Sequence, residues 1–139
     1  MTSVWTVLRG RLGDRDRGSA TVEAVLIIPL AVVATLLVVQ FVLVWHGRHV
    51  AQAAAQSAAR AAAAYRSTAA AGESVGADYL AGVAPTLLPG RSVRVTRDAA
   101  AATAAVHADV LTLVPFLTFT VDERATAPVE AFTPPAGAP

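Results

Sequence analysis

The chain has 139 residues, of which 55% are hydrophobic, 6% aromatic and 15% charged, with a formal net charge of +1. This length excludes a large two-domain enzyme, the charge gives no general pull toward nucleic acid, and the lack of cysteine excludes disulfide frameworks, thiolate zinc sites and cysteine nucleophiles. Soluble domains carry about 25% charged residues, so the deficit here, with a mean hydropathy of +0.53, leaves an alanine-swollen soluble protein or a membrane protein.

The segment Ala24–Trp45 decides between them. Its 22 residues carry no charge, and only Thr35 and Gln40 are polar. At 1.5 Å per residue they extend ~33 Å, enough to cross the ~30 Å hydrocarbon core of a bilayer. A soluble helix this apolar needs apolar neighbours all round, which the remaining chain cannot supply, so the segment is read as a transmembrane helix. Pro29 lies near its start, where a mild kink is tolerable. Arg9, Arg11, Arg15 and Arg17 crowd the stretch before the span, while Arg48, Arg60 and Arg66 are spread out after it. The positive-inside rule then places the N-terminus in the cytoplasm and residues 46–139 outside.

From Val50 to Ala64 the chain is mostly alanine, the best helix former, without Gly or Pro. Arg48, Gln52, Gln56 and Arg60 recur every four residues as one polar stripe. The span and this extension therefore read as one helix from about Ser19 to Tyr65. Ala51, Ala55, Ala58, Ala59, Ala62 and Ala63 offer small-residue surfaces on which helices of other subunits could pack; helix propensity explains the alanines equally well. Beyond Arg66, glycines and prolines punctuate the chain, with a short helix expected over Ser74–Ala84 around Val75, Tyr79, Leu80 and Val83. Ser92–Arg97 alternates like a half-buried strand, and Val106–Val114 and Leu117–Asp122 are two further β-rich runs separated by Pro115. The expected architecture is α+β: a long N-terminal helix followed by a small antiparallel head of about three strands. Its parts are a basic leader at 1–18, the helix at 19–66, an extracytoplasmic head at 67–132 and a disordered Pro/Ala/Gly tail at 133–139. A head of ~65 residues is marginal alone, so its sheet is expected to pack on the alanine-rich helix or on neighbouring subunits.

The residues before the span carry the functional signal. Glu23 is the only carboxylate at the edge of the apolar helix; an acid in the first helical turn favours the macrodipole, which is a sufficient account of it in isolation. The whole pattern says more: a basic leader ending in Gly18, four residues, Glu23, and then RGSATVEAVLIIPL running into the apolar span and AQAAAQSAARAAA. This layout resembles a prepilin-type signal and is similar to the TadE-like family of minor pilins and pseudopilins of tight-adherence (Tad/Flp) pilus systems. The resemblance covers Arg17 to about Ala64 and continues faintly in Ala125–Glu130, which is similar to the family's closing strand. It implies cleavage between Gly18 and Ser19 by a membrane-embedded aspartyl prepilin peptidase, leaving Ser19 as the new N-terminus. It further implies that Glu23 sets subunit register by meeting a neighbour's free α-amino group. Implied partners are that peptidase, other Tad/Flp pilins and pseudopilins, an inner-membrane assembly platform and the lipid bilayer. The implied location is a bacterial cytoplasmic membrane with a single pass, with incorporation into a surface pilus as a further stage. The role implied is structural, without enzymatic activity, cofactor or nucleic-acid partner.

Other constellations have simpler accounts. His46 and His49 are one turn apart but have no third ligand nearby in sequence. His107 and Asp109 share a strand face that solvation explains, and Arg91, Arg94 and Arg97 read as the charged face of an edge strand. Two alternatives to the pilin reading exist. One is an uncleaved single-pass anchor with a binding head, which leaves Gly18 and Glu23 without a role. The other is a secreted protein cut after Ala51-Gln52-Ala53, against which the 22-residue span is longer than a signal-peptide core.

Overall fold

The computed structural model describes residues 5–130, with side chains described at Glu23 and from Val25 onward; the expected tail at 133–139 lies outside these residues. The elements are α1 (Trp5–Ala63), α2 (Ala69–Val83), β1 (Ser92–Arg97), β2 (Ala101–Val110) and β3 (Phe119–Pro128). The chain is α+β, as its sequence implies. It divides into two compact units, Met1–Val39 and Gln40–Pro139.

Helix α1 begins earlier than the expected Ser19, because nothing from Trp5 onward stops it. Gly10, Gly13 and Gly18 each cost about 1 kcal/mol relative to alanine, but no proline intervenes before Pro29. Its end is set at Arg66, whose φ of 58° lies in the left-handed region and reverses the chain. The Ser67 N–H donates to the Ala64 carbonyl, and the Glu130 N–H donates to the Ala63 carbonyl at 2.9 Å. The Glu130 carboxylate in turn accepts from the Tyr65 N–H. The last described residue therefore ties the end of the sheet to the end of α1, satisfying groups a helix terminus leaves open.

In the second unit the three strands form an antiparallel sheet in the order β1-β2-β3. Arg94 pairs with Ala105, and Ala105 with Arg124. Inward positions along β2 are Ala102, Ala104, Val106, Ala108 and Val110, all buried, the period-2 signature of a sheet with one covered face. Of these, Val106, Ala108 and Val110 pack on the α1 stripe Val50, Ala51, Ala54 and Ala55, together with Leu80, Leu88 and Val121. A second cluster joins Ala58, Ala59, Ala62 and Ala63 to Val95, Ala102, Ala104 and Ala127. The core is thus built largely from methyl groups, which bring sheet and helix close and compensate for the scarcity of large side chains. The alanines read as a possible surface for other subunits are accordingly buried within their own chain, from Ala51 at 0% exposed to Ala63 at 3%, while Arg48, Gln52, Gln56 and Arg60 face outward.

Helix α2 starts at Ala69, five residues before the expected Ser74. Thr68 is its N-cap, with its hydroxyl accepting from the Ala71 N–H, a contribution of about 1 kcal/mol. Its buried face is Gly72, Gly76 and Leu80; Val75 and Val83, two of the apolar residues around which the helix is expected, are exposed at 42% and 52%. From α2, the Glu73 carboxylate accepts from the Val95 N–H at 3.0 Å and so closes one donor of the edge strand β1.

The strand boundaries also differ from expectation beyond β1, which falls where the alternation places it. Strand β2 begins at Ala101, in an alanine run whose intrinsic β-preference is weak; pairing with both neighbours overrides it. Strand β3 runs on to Pro128, absorbing Ala125–Pro128. Residue Asp98 closes the β1–β2 turn, its Oδ1 accepting from the N–H groups of Ala100 and Ala101, each at 2.7 Å. The bond from Ala101, and then that from Ala100, holds its carboxyl below the usual carboxylate range. A lowered folded-state pKa means stability that is present above the unfolded value and lost as pH falls through the folded one. The variant Asp98→Asn, which keeps an acceptor but not the charge, should show a Tm deficit at neutral pH that closes in acid as the parent carboxyl protonates. A deficit independent of pH would rule out this account of the turn.

Candidate functional site

Three residues define the candidate site: Gly18, Ser19 and Glu23. All lie within α1; the side-chain surroundings of Gly18 and Ser19 lie outside the described residues. Glu23 is exposed, one turn before a run of uncovered apolar side chains. Leu26 is 70% exposed, Leu30 68% and Val38 65%. Ile27, Ile28, Ala31, Val32, Thr35 and Leu36 border a shallow apolar groove. Thr35 is the polar residue there, and its hydroxyl donates to the Ala31 carbonyl at 2.8 Å, so its polarity is satisfied within the helix. Only 6% of the most apolar window of α1 is buried by the chain itself. A soluble core helix of this hydropathy would be covered; this one has the length and surface of a membrane span.

The change comes at Gln40, the first residue of the second unit. Although it stands inside the apolar run, it is 2% exposed. Its Nε2 donates to the Leu111 carbonyl at 3.2 Å, and its Oε1 accepts from the Leu113 N–H at 2.8 Å. From here the covered face of α1 continues through Gly47, Val50 and Ala51. In sequence Gln40 is an isolated polar residue in a hydrophobic helix, and its role was not legible there. The signal available was that a primary amide carries both an N–H donor and a carbonyl acceptor, so it can satisfy a backbone acceptor and a backbone donor together.

The remaining candidates are placed as follows. The His49 ring meets Trp45 edge-on with centroids 4.3 Å apart; among the described residues no group of three potential ligands is assembled. His107 and Asp109 share the exposed face of β2, and His107 Nδ1 lies 2.8 Å from Asp122 Oδ1 on the neighbouring strand. Of the three arginines, only Arg94 occupies the outward face of β1. Arg91 precedes the strand and donates to the Pro85 and Leu88 carbonyls. Arg97 points to the inner side and donates to the Ser67 carbonyl at 2.9 Å, because it shares the parity of Val93 and Val95. The idea of one charged strand face is corrected accordingly.

Among the described residues one helix is long and apolar enough to cross a membrane, and it leads into a small α+β head, which points to a single-pass membrane protein. The family described as TadE-like protein matches residues 18–60, so the match begins at Gly18 and takes in Glu23, the apolar run and most of the alanine stripe. No curated protein and no solved structure matches the chain.

Proposed function

We propose that this chain is a minor pilin or pseudopilin of a Tad/Flp-type pilus or related secretion machine. A prepilin peptidase cuts it between Gly18 and Ser19, and it assembles through the apolar half of α1. The observation that carries the reading is the division of α1: the face from Gln40 onward is covered by the chain's own head, whereas the side chains Val25–Val39 are left to lipid or to other subunits. The arginine-rich leader keeps the N-terminus in the cytoplasm and places the head outside. Because the alanine face is occupied within the subunit, contacts with other pilins and with the assembly platform fall to the apolar half and the outward surfaces of the head.

In this reading Glu23 has a defined task. A carboxylate drawn to the middle of a bilayer costs ~2.5–3.5 kcal/mol by insertion scales, less near the interface. Pairing with the α-amino group of a neighbour's Ser19 offsets that cost and fixes axial register. The variant Glu23→Gln is expected to be cleaved and inserted but to co-purify with partner pilins about tenfold less, equivalent to ~1.4 kcal/mol. Undiminished co-purification would remove the register role.

A further inference from the structure

The connection between β2 and β3 has a property that the pilus reading does not use. Leu111-Thr112-Leu113-Val114-Pro115-Phe116-Leu117 contains no charge, and its large side chains are uncovered: Leu111 and Leu113 are each 42% exposed, Leu117 39%, and Phe116 fully exposed. Phe116 has φ 69°, a left-handed conformation that bulky residues rarely adopt. A water-facing loop normally carries polar residues there.

The loop is fixed at a definite level of α1. Both of its hydrogen bonds to the helix end on Gln40, five residues before Trp45, where the apolar run stops and His46, Arg48 and His49 begin. Five residues are ~7.5 Å of helix. The loop is therefore held on the apolar side of the Trp45 level, where aromatic residues mark a membrane–water boundary. Irregular backbone at that depth is tolerated only when its polar groups find partners within the protein. Several do: Leu111 N–H donates to the Leu87 carbonyl and Leu117 N–H to the Val114 carbonyl, Gln40 serves Leu111 and Leu113, and Pro115 has no N–H to satisfy.

We propose that Leu111–Leu117 is a second membrane-contacting element, an apolar loop seated in the outer headgroup and acyl boundary of the bilayer, with Gln40 locking it to the transmembrane helix. Its occupant is lipid, and its effect is to fix the height and tilt of the head on the membrane before any assembly. The inference rests on the membrane-spanning reading of α1 and is independent of cleavage or pilus membership.

The absence of cysteine makes single-site labelling direct. The full chain carrying Phe116→Cys with an environment-sensitive fluorophore is reconstituted into vesicles of phosphatidylcholine and phosphatidylglycerol, with Arg94→Cys as the reference on the outward face of the sheet. Position 116 should be several-fold less accessible to aqueous iodide than position 94, and several-fold more quenched by lipids labelled near the headgroup. Equal iodide quenching at the two positions would overturn the proposal. Protection at 116 that disappears when the protein is diluted in lipid would overturn it too, since a second copy, not lipid, would then be the cover.

Discussion

Gly18→Val is expected to leave the chain as a full-length precursor in the membrane, with processing slowed about 100-fold. The peptide bond after residue 18 lies within α1, and an aspartyl peptidase must take up that backbone in extended form. Glycine favours this twice. It lowers the cost of unwinding the helix locally by about 1 kcal/mol relative to alanine, and it lets the catalytic carboxylates approach the scissile bond without meeting a Cβ. A β-branched side chain at this point displaces the bond by an ångström or so, and misplacements of that size cost on the order of 100-fold in rate. The measurement is the ratio of precursor to mature chain in native membranes. Gly18→Ala should be the milder defect, because its methyl group is smaller and unbranched. Normal processing of Gly18→Val would remove the prepilin-type assignment.

The second large effect lies in the head. Gly72→Val should destabilise it by about 2–3 kcal/mol, the upper part of the range for overpacking a filled site. A Cβ at Gly72 would stand 2.6 Å from the Ala58 carbonyl oxygen and 2.7 Å from the Ala62 Cβ. Both neighbours belong to the α1 stripe, so no flexible side-chain end can move aside; either α2 lifts from α1 or the helix shifts. Gly82, on the same helix, has nothing within 4 Å of such an atom. Gly82→Ala should therefore be neutral or stabilising by up to about 1 kcal/mol. At 4–8 °C per kcal/mol for a domain of this size, Gly72→Val should lower Tm by about 8–24 °C, measured on the full chain in detergent. Equal Tm values for the two variants would contradict the close packing of α2 on α1.

That pair of glycines also shows how far the sequence could be read. The long helix, the α+β class and strand β1 follow from features with strong local causes: an uncharged apolar run, unbroken alanine, and Val alternating with polar residues. In the sequence Gly72 and Gly76 read as punctuation, because glycine in isolation signals a break; here they mark the contact of two helices, and only the position of Ala58 and Ala62 reveals it. Strand β2 begins among alanines, where the pattern contains no β signal and pairing decides. The roles of Gln40, Glu73 and Glu130 depend on backbone groups 71, 22 and 65 residues away respectively, separations that periodicity cannot address. Of the candidate site, the proposal for Gly18, Ser19 and Glu23 rests on local order along the chain alone: basic leader, glycine, carboxylate, apolar helix.

The mature N-terminus is the most direct measurement of the central claim, by intact mass and N-terminal sequencing of the chain taken from native membranes. Processing as a pilus subunit predicts a chain beginning at Ser19, shortened by the 18 leader residues. A chain beginning at Met1 or Thr2 would contradict that reading and leave an uncleaved membrane anchor bearing a small α+β head.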